Sequence, residues 1–281
     1  MASWFNLFRK PSKLTDDRAA DWFDRVAEQL LNGTRLVVNR EPHRFTEVEF
    51  YYFAPEHPDP FTHRDPLQLE CGRWYFHRSR GAYRRRSFKG LDLTFGGDGA
   101  HSGILIRGLE KANGELVDGP SLCVDHLLDV TGAGDVAALD EAIAGRDAWD
   151  ATNPLRLEEA NAGPAREVYR TARIGLSLKR SKKAPEPPRY VLRPYRYLTE
   201  PRRIAKGKAQ LVLALHAQGM SPEEIHNLCG CPKGTVQRYI KDFEEGRQDG
   251  DFDPYYGIDL APKELCRLHG VWHARWVDGK A

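Results

Sequence analysis

Between residues 46 and 63 the chain gathers side chains able to do acid–base chemistry. The run is Thr46-Glu47-Val48-Glu49-Phe50-Tyr51-Tyr52, then Pro55-Glu56-His57-Pro58-Asp59, with His63 beyond it. Alternate residues of an extended strand share a face, so Glu47, Glu49 and Tyr51 point the same way. Two carboxylates and a ring make a poor half-buried core. A carboxylate beside a ring can activate a water molecule while the ring holds a flat substrate by stacking. The same triplet also suits the polar outer face of a strand, and spacing alone leaves both readings open.

The elements that must position these residues follow from pattern. Residues 15–31 read as a helix, with Trp22, Phe23, Val26, Leu30 and Leu31 at helical spacing. After the Asn32-Gly33 turn come short segments rich in β-branched and aromatic residues: LVVNR, RFTEVEFYYF, RWYFHR, DLTF and GILIRGLE. Gly96-Gly97-Asp98-Gly99 reads as a hairpin turn. Residues 135–170 read as helical and acidic with a break at Asn153-Pro154. TARIGLSL and RYVLRPYRYL read as a strand pair around a basic linker. The expected fold is α+β: a curved antiparallel sheet core with surrounding helices, plus a small C-terminal helical module.

That module starts near residue 203. RIAKGKAQLVLALHAQ is followed by a second helix that Ser221, Pro222 and Glu224 begin with a capping box. KGTVQRYIKDFEEG then carries Val236, Tyr239, Ile240 and Phe243 on one stripe and Lys233, Thr235, Gln237, Arg238 and Lys241 opposite it. Two short helices, a tight turn and a basic second helix describe a helix-turn-helix, with Lys233, Thr235 and Arg238 as DNA contacts. A helical hairpin that merely packs on the main domain is the alternative. The expected division is 1–204 for the catalytic domain, 205–250 for the helix-turn-helix and 251–281 for a tail packing on the body.

Composition sets the class. The 281 residues hold 42 Lys+Arg against 40 Asp+Glu and are 41% hydrophobic, which suits a soluble globular protein with a sizeable core. No run approaches eighteen apolar residues, and the charged N-terminal segment lacks an apolar signal-peptide core, so neither membrane nor export is expected. Five cysteines, an odd number, read as reduced thiols in a cytoplasmic, nucleoid-associated protein. Charge is segregated. Residues 73–89 hold seven Lys/Arg and no acid, 179–208 hold eleven Lys/Arg and two acids, and 124–160 hold nine acids and two Arg. Separated basic runs interleaved with aromatics suit a polyanion on one side, here double-stranded DNA. A monomer is expected.

With these residues in view, the chain resembles the alkyladenine (3-methyladenine) DNA glycosylases. Glu47-Val48-Glu49-Phe50-Tyr51 with the following Pro55-Glu56 and a histidine is similar to that family's Glu-x-Glu-Ala-Tyr … Pro-Glu-Asp … His segment. Ile104-Leu105-Ile106-Arg107-Gly108-Leu109-Glu110 is similar to its apolar strand ending in Leu-Arg-Ala-Leu-Glu. Gly119-Pro120-Ser121-Leu122-Cys123 resembles its Gly-Pro-x-x-Leu-Cys turn. Ala172-Arg173-Ile174-Gly175 and Arg189-Tyr190-Val191 resemble its ending. The matches keep their order from about residue 20 to about 200; the helix-turn-helix and tail lie outside them.

The resemblance implies a monofunctional N-glycosylase that flips a damaged or modified base out of the duplex and leaves an abasic site. Glu49 matches the carboxylate that handles the attacking water, Arg107 the strand-end arginine beside it, Tyr51 the ring that stacks on the base, and His63 the histidine contacting base or sugar phosphate. An insertion precedes His63. Asp92 lies near where the family discriminates bases and could accept from an exocyclic amine. The family's Tyr-Gly wedge hairpin is replaced by SRGAYRRRS, so Tyr83 is the expected wedge and Arg84, Arg85 and Arg86 the groove or phosphate contacts. Lys89 is close to the site, but no lysine is an obvious Schiff-base nucleophile, so water is preferred. No cofactor or metal is expected; Cys266, His269 and His273 have spacing that zinc would tolerate, against a packed tail helix. The base itself stays open between an alkylated purine and a bulky one such as a hypermodified cytosine in foreign DNA, as does repair against defence. The rival reading is a non-catalytic DNA-binding regulator on the same fold.

Overall fold

A computed structural model describes residues 4–11, 14–79, 81–83, 89–160 and 164–279. The chain gathers into two units. One comprises Met1–Pro58, Thr62–Val168 and Tyr197–Thr199; the other comprises Asp59–Phe61, Tyr169–Arg196 and Glu200–Ala281.

The first unit is built on an open antiparallel sheet. Its main path runs through six strands, β1 (Thr34–Val38), β2 (Glu41–Ala54), β3 (Cys71–Phe76), β4 (Leu91–Phe95), β5 (His101–Glu110) and β6 (Leu155–Glu159), in the order β6-β1-β2-β5-β4-β3. Helix α1 (Asp16–Gly33) covers one face. Its Trp22, Phe23, Val26, Leu30 and Leu31 are all buried, and Phe23 stacks on Phe50 of β2 with ring centroids 4.6 Å apart. Trp22 meets Phe95 of β4 at 5.0 Å. Phe50 pairs with Ile104, and Ile104 with Leu93, so the α1 face is an apolar row across three strands. The opposite face carries Glu47, Glu49, Tyr51 and Asp92, and helix α2 (Pro120–Thr131) packs against β5. Helix α3 (Val136–Ile143) follows, capped by the Asp135 carboxylate.

The turn from β4 to β5 is as expected: Gly97, Asp98 and Gly99 all have positive φ, and Gly97 and Ala100 exchange backbone hydrogen bonds. Two sequence expectations are corrected. Among the described residues of 135–170 only Val136–Ile143 is an α-helix; Leu155–Glu159 pairs antiparallel with β1 as an edge strand. Its alternation of Leu155 and Leu157 with Arg156 and Glu158 is a strand period. The segment beginning RYV is not a strand at its start, because Glu186–Val191 is a helix, α4, with prolines in the first turn, where a missing N–H costs nothing. Only Tyr169–Thr171 and Arg196–Leu198 are extended there.

The second unit is largely helical. After α4 come α5 (Lys208–Ala217), α6 (Pro222–Cys229), α7 (Lys233–Asp249) and α8 (Pro262–Trp276). The capping box is present: Ser221 Oγ accepts from Glu224 N–H, and the Glu224 carboxylate accepts from Ser221 N–H at 2.7 Å. Gly230 closes α6 at φ 71°, the left-handed region that favours glycine. Within this unit the buried Arg173 guanidinium donates to Asp59 at 2.6 Å, and neither side chain has exposed surface.

Helices α7 and α8 cross closely. A Cβ on Gly246 would lie 2.0 Å from the Arg267 carbonyl oxygen, and one on Gly270 would lie 2.0 Å from that of Phe243. Backbone meets backbone there, so neither helix has room for a methyl group. Gly270→Ala is expected to cost about 1–3 kcal/mol in chemical denaturation despite its better helix propensity. Gly234→Ala, in the same helix as Gly246 but with open space around it, should be neutral or gain up to about 1 kcal/mol. Equal stabilities would show that the crossing does not depend on these glycines.

Candidate functional site

The expected face is assembled around Arg107. The β2–β5 ladder pairs Phe45 with Leu109, Glu47 with Gly108 and Val48 with Ile106, so it skips Thr46 on one strand and Arg107 on the other. This double irregularity seats Arg107 between the two carboxylates: its Nε donates to Glu47 at 2.7 Å and lies 3.3 Å from Glu49 Oε1. Gly108 permits the close approach, since a Cβ there would meet Thr46 Oγ1 at 2.4 Å. Tyr51 completes the row, its hydroxyl donating to Glu49 Oε2 at 2.8 Å. Glu49 is 0% exposed and Arg107 4%. Burial works against the arginine's charge, but Glu49 and Glu47 outweigh it and push its pKa up, so the guanidinium stays a cation. Glu49 is therefore oriented by two donors on a strand face.

A second cluster continues across the sheet. Glu49 pairs with Leu105, Leu105 with Asp92, and Asp92 with Tyr75, a single row on one face. Tyr51 pairs with Gly103, and a Cβ on Gly103 would lie 2.3 Å from Asp92 Oδ2, so this glycine makes room for the Asp92 carboxylate beside the Glu49 row. Asp92 is buried; its Oδ1 lies 2.7 Å from His77 Nε2, and Oδ2 accepts from Gln68 at 3.2 Å. Above His77 the exposed His63 stands edge-on, ring centroids 4.3 Å apart, with Nδ1 3.3 Å from the Tyr75 hydroxyl. Burial, then Asp65 and Asp92, push the Tyr75 pKa up, keeping it a neutral donor. The structure thus brings His63 and Asp92 together through His77. Sequence reasoning passed over His77; its signal was the spacing of two from Tyr75 on a strand, which puts both on one face.

At the hairpin, Arg78–Ser79 pairs with Ala82–Tyr83. The Tyr83 hydroxyl donates to Asp140 of α3, and Arg78 reaches the same carboxylate at 2.6 Å while lying 5.1 Å over the Tyr83 ring. Arg84, Arg85 and Arg86 lie outside the described residues. Lys89 is ion-paired with Asp125.

In the helical unit, Lys233, Gln237, Arg238 and Lys241 are exposed on α7 and Thr235 is half-buried, while Val236 and Phe243 are buried on the opposite stripe. Lys233 pairs with Glu223 at 2.6 Å. The Cys266 thiol packs with Ala209, Leu213 and Phe243, and His273 faces Asp278 at 3.2 Å. Among the described residues no three His, Cys, Asp or Glu side chains are grouped as a metal would need. Among the described residues no helix is long and apolar enough to cross a membrane.

The weight Arg107 bears can be measured. Arg107→Met would strand two buried carboxylates, and a loss of about 3–5 kcal/mol is expected in urea denaturation at neutral pH. Protonating a stranded carboxylate removes its buried charge, so part of that loss should return as pH falls. A loss below about 1 kcal/mol, with no such recovery, would mean the cluster is solvated rather than buried.

Two comparisons bear on identity. Residues 203–250 match a homeodomain-like domain family, so the chain carries a DNA-binding helix-turn-helix spanning α5–α7. The described surface of α7 fits that role, with its basic residues outward. The chain also has a relative among viral proteins, "Uncharacterized protein L759" of Acanthamoeba polyphaga mimivirus, 32% identical over 193 residues. The alignment covers 63% of this chain and 88% of the viral protein, and the chain belongs to the same family as that protein.

Proposed function

We propose that the protein is a DNA N-glycosylase held on its substrate by the helix-turn-helix. The observation that carries this reading is the Glu49 carboxylate, oriented by Arg107 and Tyr51 on a face that continues to Asp92 and His77. In the reaction, a water oxygen bonds to the anomeric carbon as the glycosidic C–N bond breaks. The base departs with the bonding electrons, and the water's proton passes to Glu49. Arg107 holds Glu49 and stays cationic beside it, and the Tyr51 ring stacks on the flipped base. His63 and Asp92 border the base; Asp92 already accepts from Gln68 and lies against His77, so His63 is the more accessible reader. Tyr83 is the wedge, which requires it to leave Asp140 on DNA. The product is an unbroken abasic site, and the target is an alkylated purine or a bulkier modified base of the cell's own or of foreign DNA.

One observation favours the rival: Glu49 has no exposed surface. A carboxylate sealed in an ion cluster also serves a DNA-binding regulator that catalyses nothing. Glu49→Gln separates the two. Base release from a panel of alkylated and modified duplexes should be abolished while duplex binding is kept. Retention of more than about a tenth of the rate, a loss under ~1.4 kcal/mol, would remove Glu49 from the chemistry. No release by the unaltered protein from any duplex would favour the regulator, and a borohydride-trapped protein–DNA adduct would replace water with an amine.

DNA grip is tested on α7. Arg238→Ala should weaken binding to all duplexes about equally and lower the slope of log K against log salt by about one unit. An unchanged slope would place Arg238 away from phosphate.

A further inference from the structure

A lysine is out of place at the start of a helix. The positive end of the α5 macrodipole lies there and favours acids, yet Lys208 is the first residue of α5 and its first turn holds no acid. The hydrogen bonds of the side chain account for it. Lys208 Nζ donates to the carbonyl oxygens of Pro201 at 2.8 Å, Arg202 at 3.0 Å and Cys229 at 2.6 Å. Cys229 is the last residue of α6, so the ammonium sits at the negative end of that helix, where carbonyls lack an intrahelical partner. Arg202 brings a second cation there and donates to the Asn227 carbonyl at 3.0 Å. Its stem lies over Gly230, where a Cβ would meet Arg202 Cγ at 3.3 Å. Gly230, Cys231 and Pro232 then lead directly into α7.

We infer that Lys208 is a positioning residue of the DNA-binding module, an internal cation that ties the segment before α5 to the turn ahead of α7. An ammonium has three N–H donors, and this one meets three carbonyls drawn from two chain segments. Tied in this way, the segment holds the exposed Arg203 and Lys206 on the edge where α7 begins with Lys233. Cations from two parts of the chain then meet the duplex in one arrangement, and the cost of ordering them is met before DNA arrives. Lys208 itself touches no DNA in this scheme; it acts through the segment and the turn. The inference rests on the helix-turn-helix alone and holds whether or not Glu49 catalyses base release.

Lys208→Met removes the ammonium and keeps the stem. In the full chain it should weaken duplex binding at least about tenfold while the circular dichroism stays that of the unaltered protein. Lys208→Arg should fail as well, because a planar guanidinium cannot aim three N–H groups at carbonyls that converge on one point. In Lys208→Ala, propylammonium supplies the severed end of the side chain and should recover binding. Tetramethylammonium at the same ionic strength, a cation without N–H, should not. Binding by Lys208→Met or Lys208→Arg within about threefold of the unaltered chain, or the same response to both cations, would overturn the positioning role. A further readout needs no variant to fold. In the unaltered chain the Lys208 ammonium, shielded by its carbonyls, should give a nitrogen–proton NMR correlation near neutral pH, and adding duplex should leave that signal in place. Absence of the signal, or its displacement as the ammonium passes to phosphate, would overturn the assignment. Failure of the helix-turn-helix reading looks different: the unaltered chain then binds no duplex although the ammonium signal is present, and the positioning role falls with it.

Discussion

A guanidinium lodged between two carboxylates inside a sheet is the interaction on which the first unit turns. Arg107 cannot be removed alone, because Glu47 and Glu49 would then face each other as buried charges with too few donors. Its position in turn requires the skipped ladder positions at Thr46 and Arg107, and those require a glycine at 108. An arginine, two glutamates and a glycine on two strands are therefore one device. The opposite face carries no such demand: Phe50, Ile104 and Leu93 need only apolar volume against α1.

The same economy of backbone space recurs along the site. Gly103 leaves room for the Asp92 carboxylate, and Gly90 for the His77 imidazole, against whose Nδ1 a Cβ would stand at 2.5 Å. Both glycines sit opposite polar side chains rather than in turns. What they secure is a face where charged and hydrogen-bonding groups pack closely, Asp92 between His77 and Gln68, and Glu49 between Arg107 and Tyr51. Polar networks of this kind are tolerated in a core only when each member has partners, which ties several residues to one geometry.

In the helical unit a different constraint rules. α7 must present Lys233, Gln237, Arg238 and Lys241 outward, so its stability rests on the other side, on Val236, Phe243 and the α8 crossing at Gly246. α8 lies beyond the homeodomain-like match at 203–250, yet it supplies the surface that α7 packs on. Helices α7 and α8 are thus energetically one element.

Much of this was legible in the chain itself, wherever the determining interactions are local. The period of Trp22, Phe23, Val26 and Leu30 gives α1; the Gly-Gly-Asp-Gly run gives the β4–β5 turn; Ser221 and Glu224 give the start of α6; and alternation puts Glu47, Glu49 and Tyr51 on one face. Where neighbours in space decide, local pattern misleads. Leu155–Glu159 is five residues long and becomes a strand only because the edge of β1 is open to it, and Arg189–Val191 reads as the start of a strand although it ends the helix that the linker's prolines begin. Arg107 lodged between its glutamates, His77 joining His63 to Asp92, and the Lys208 ammonium on its three carbonyls are tertiary facts of the same kind. Each depends on strand register or helix approach, quantities set by packing over the whole unit and written in no short run of residues.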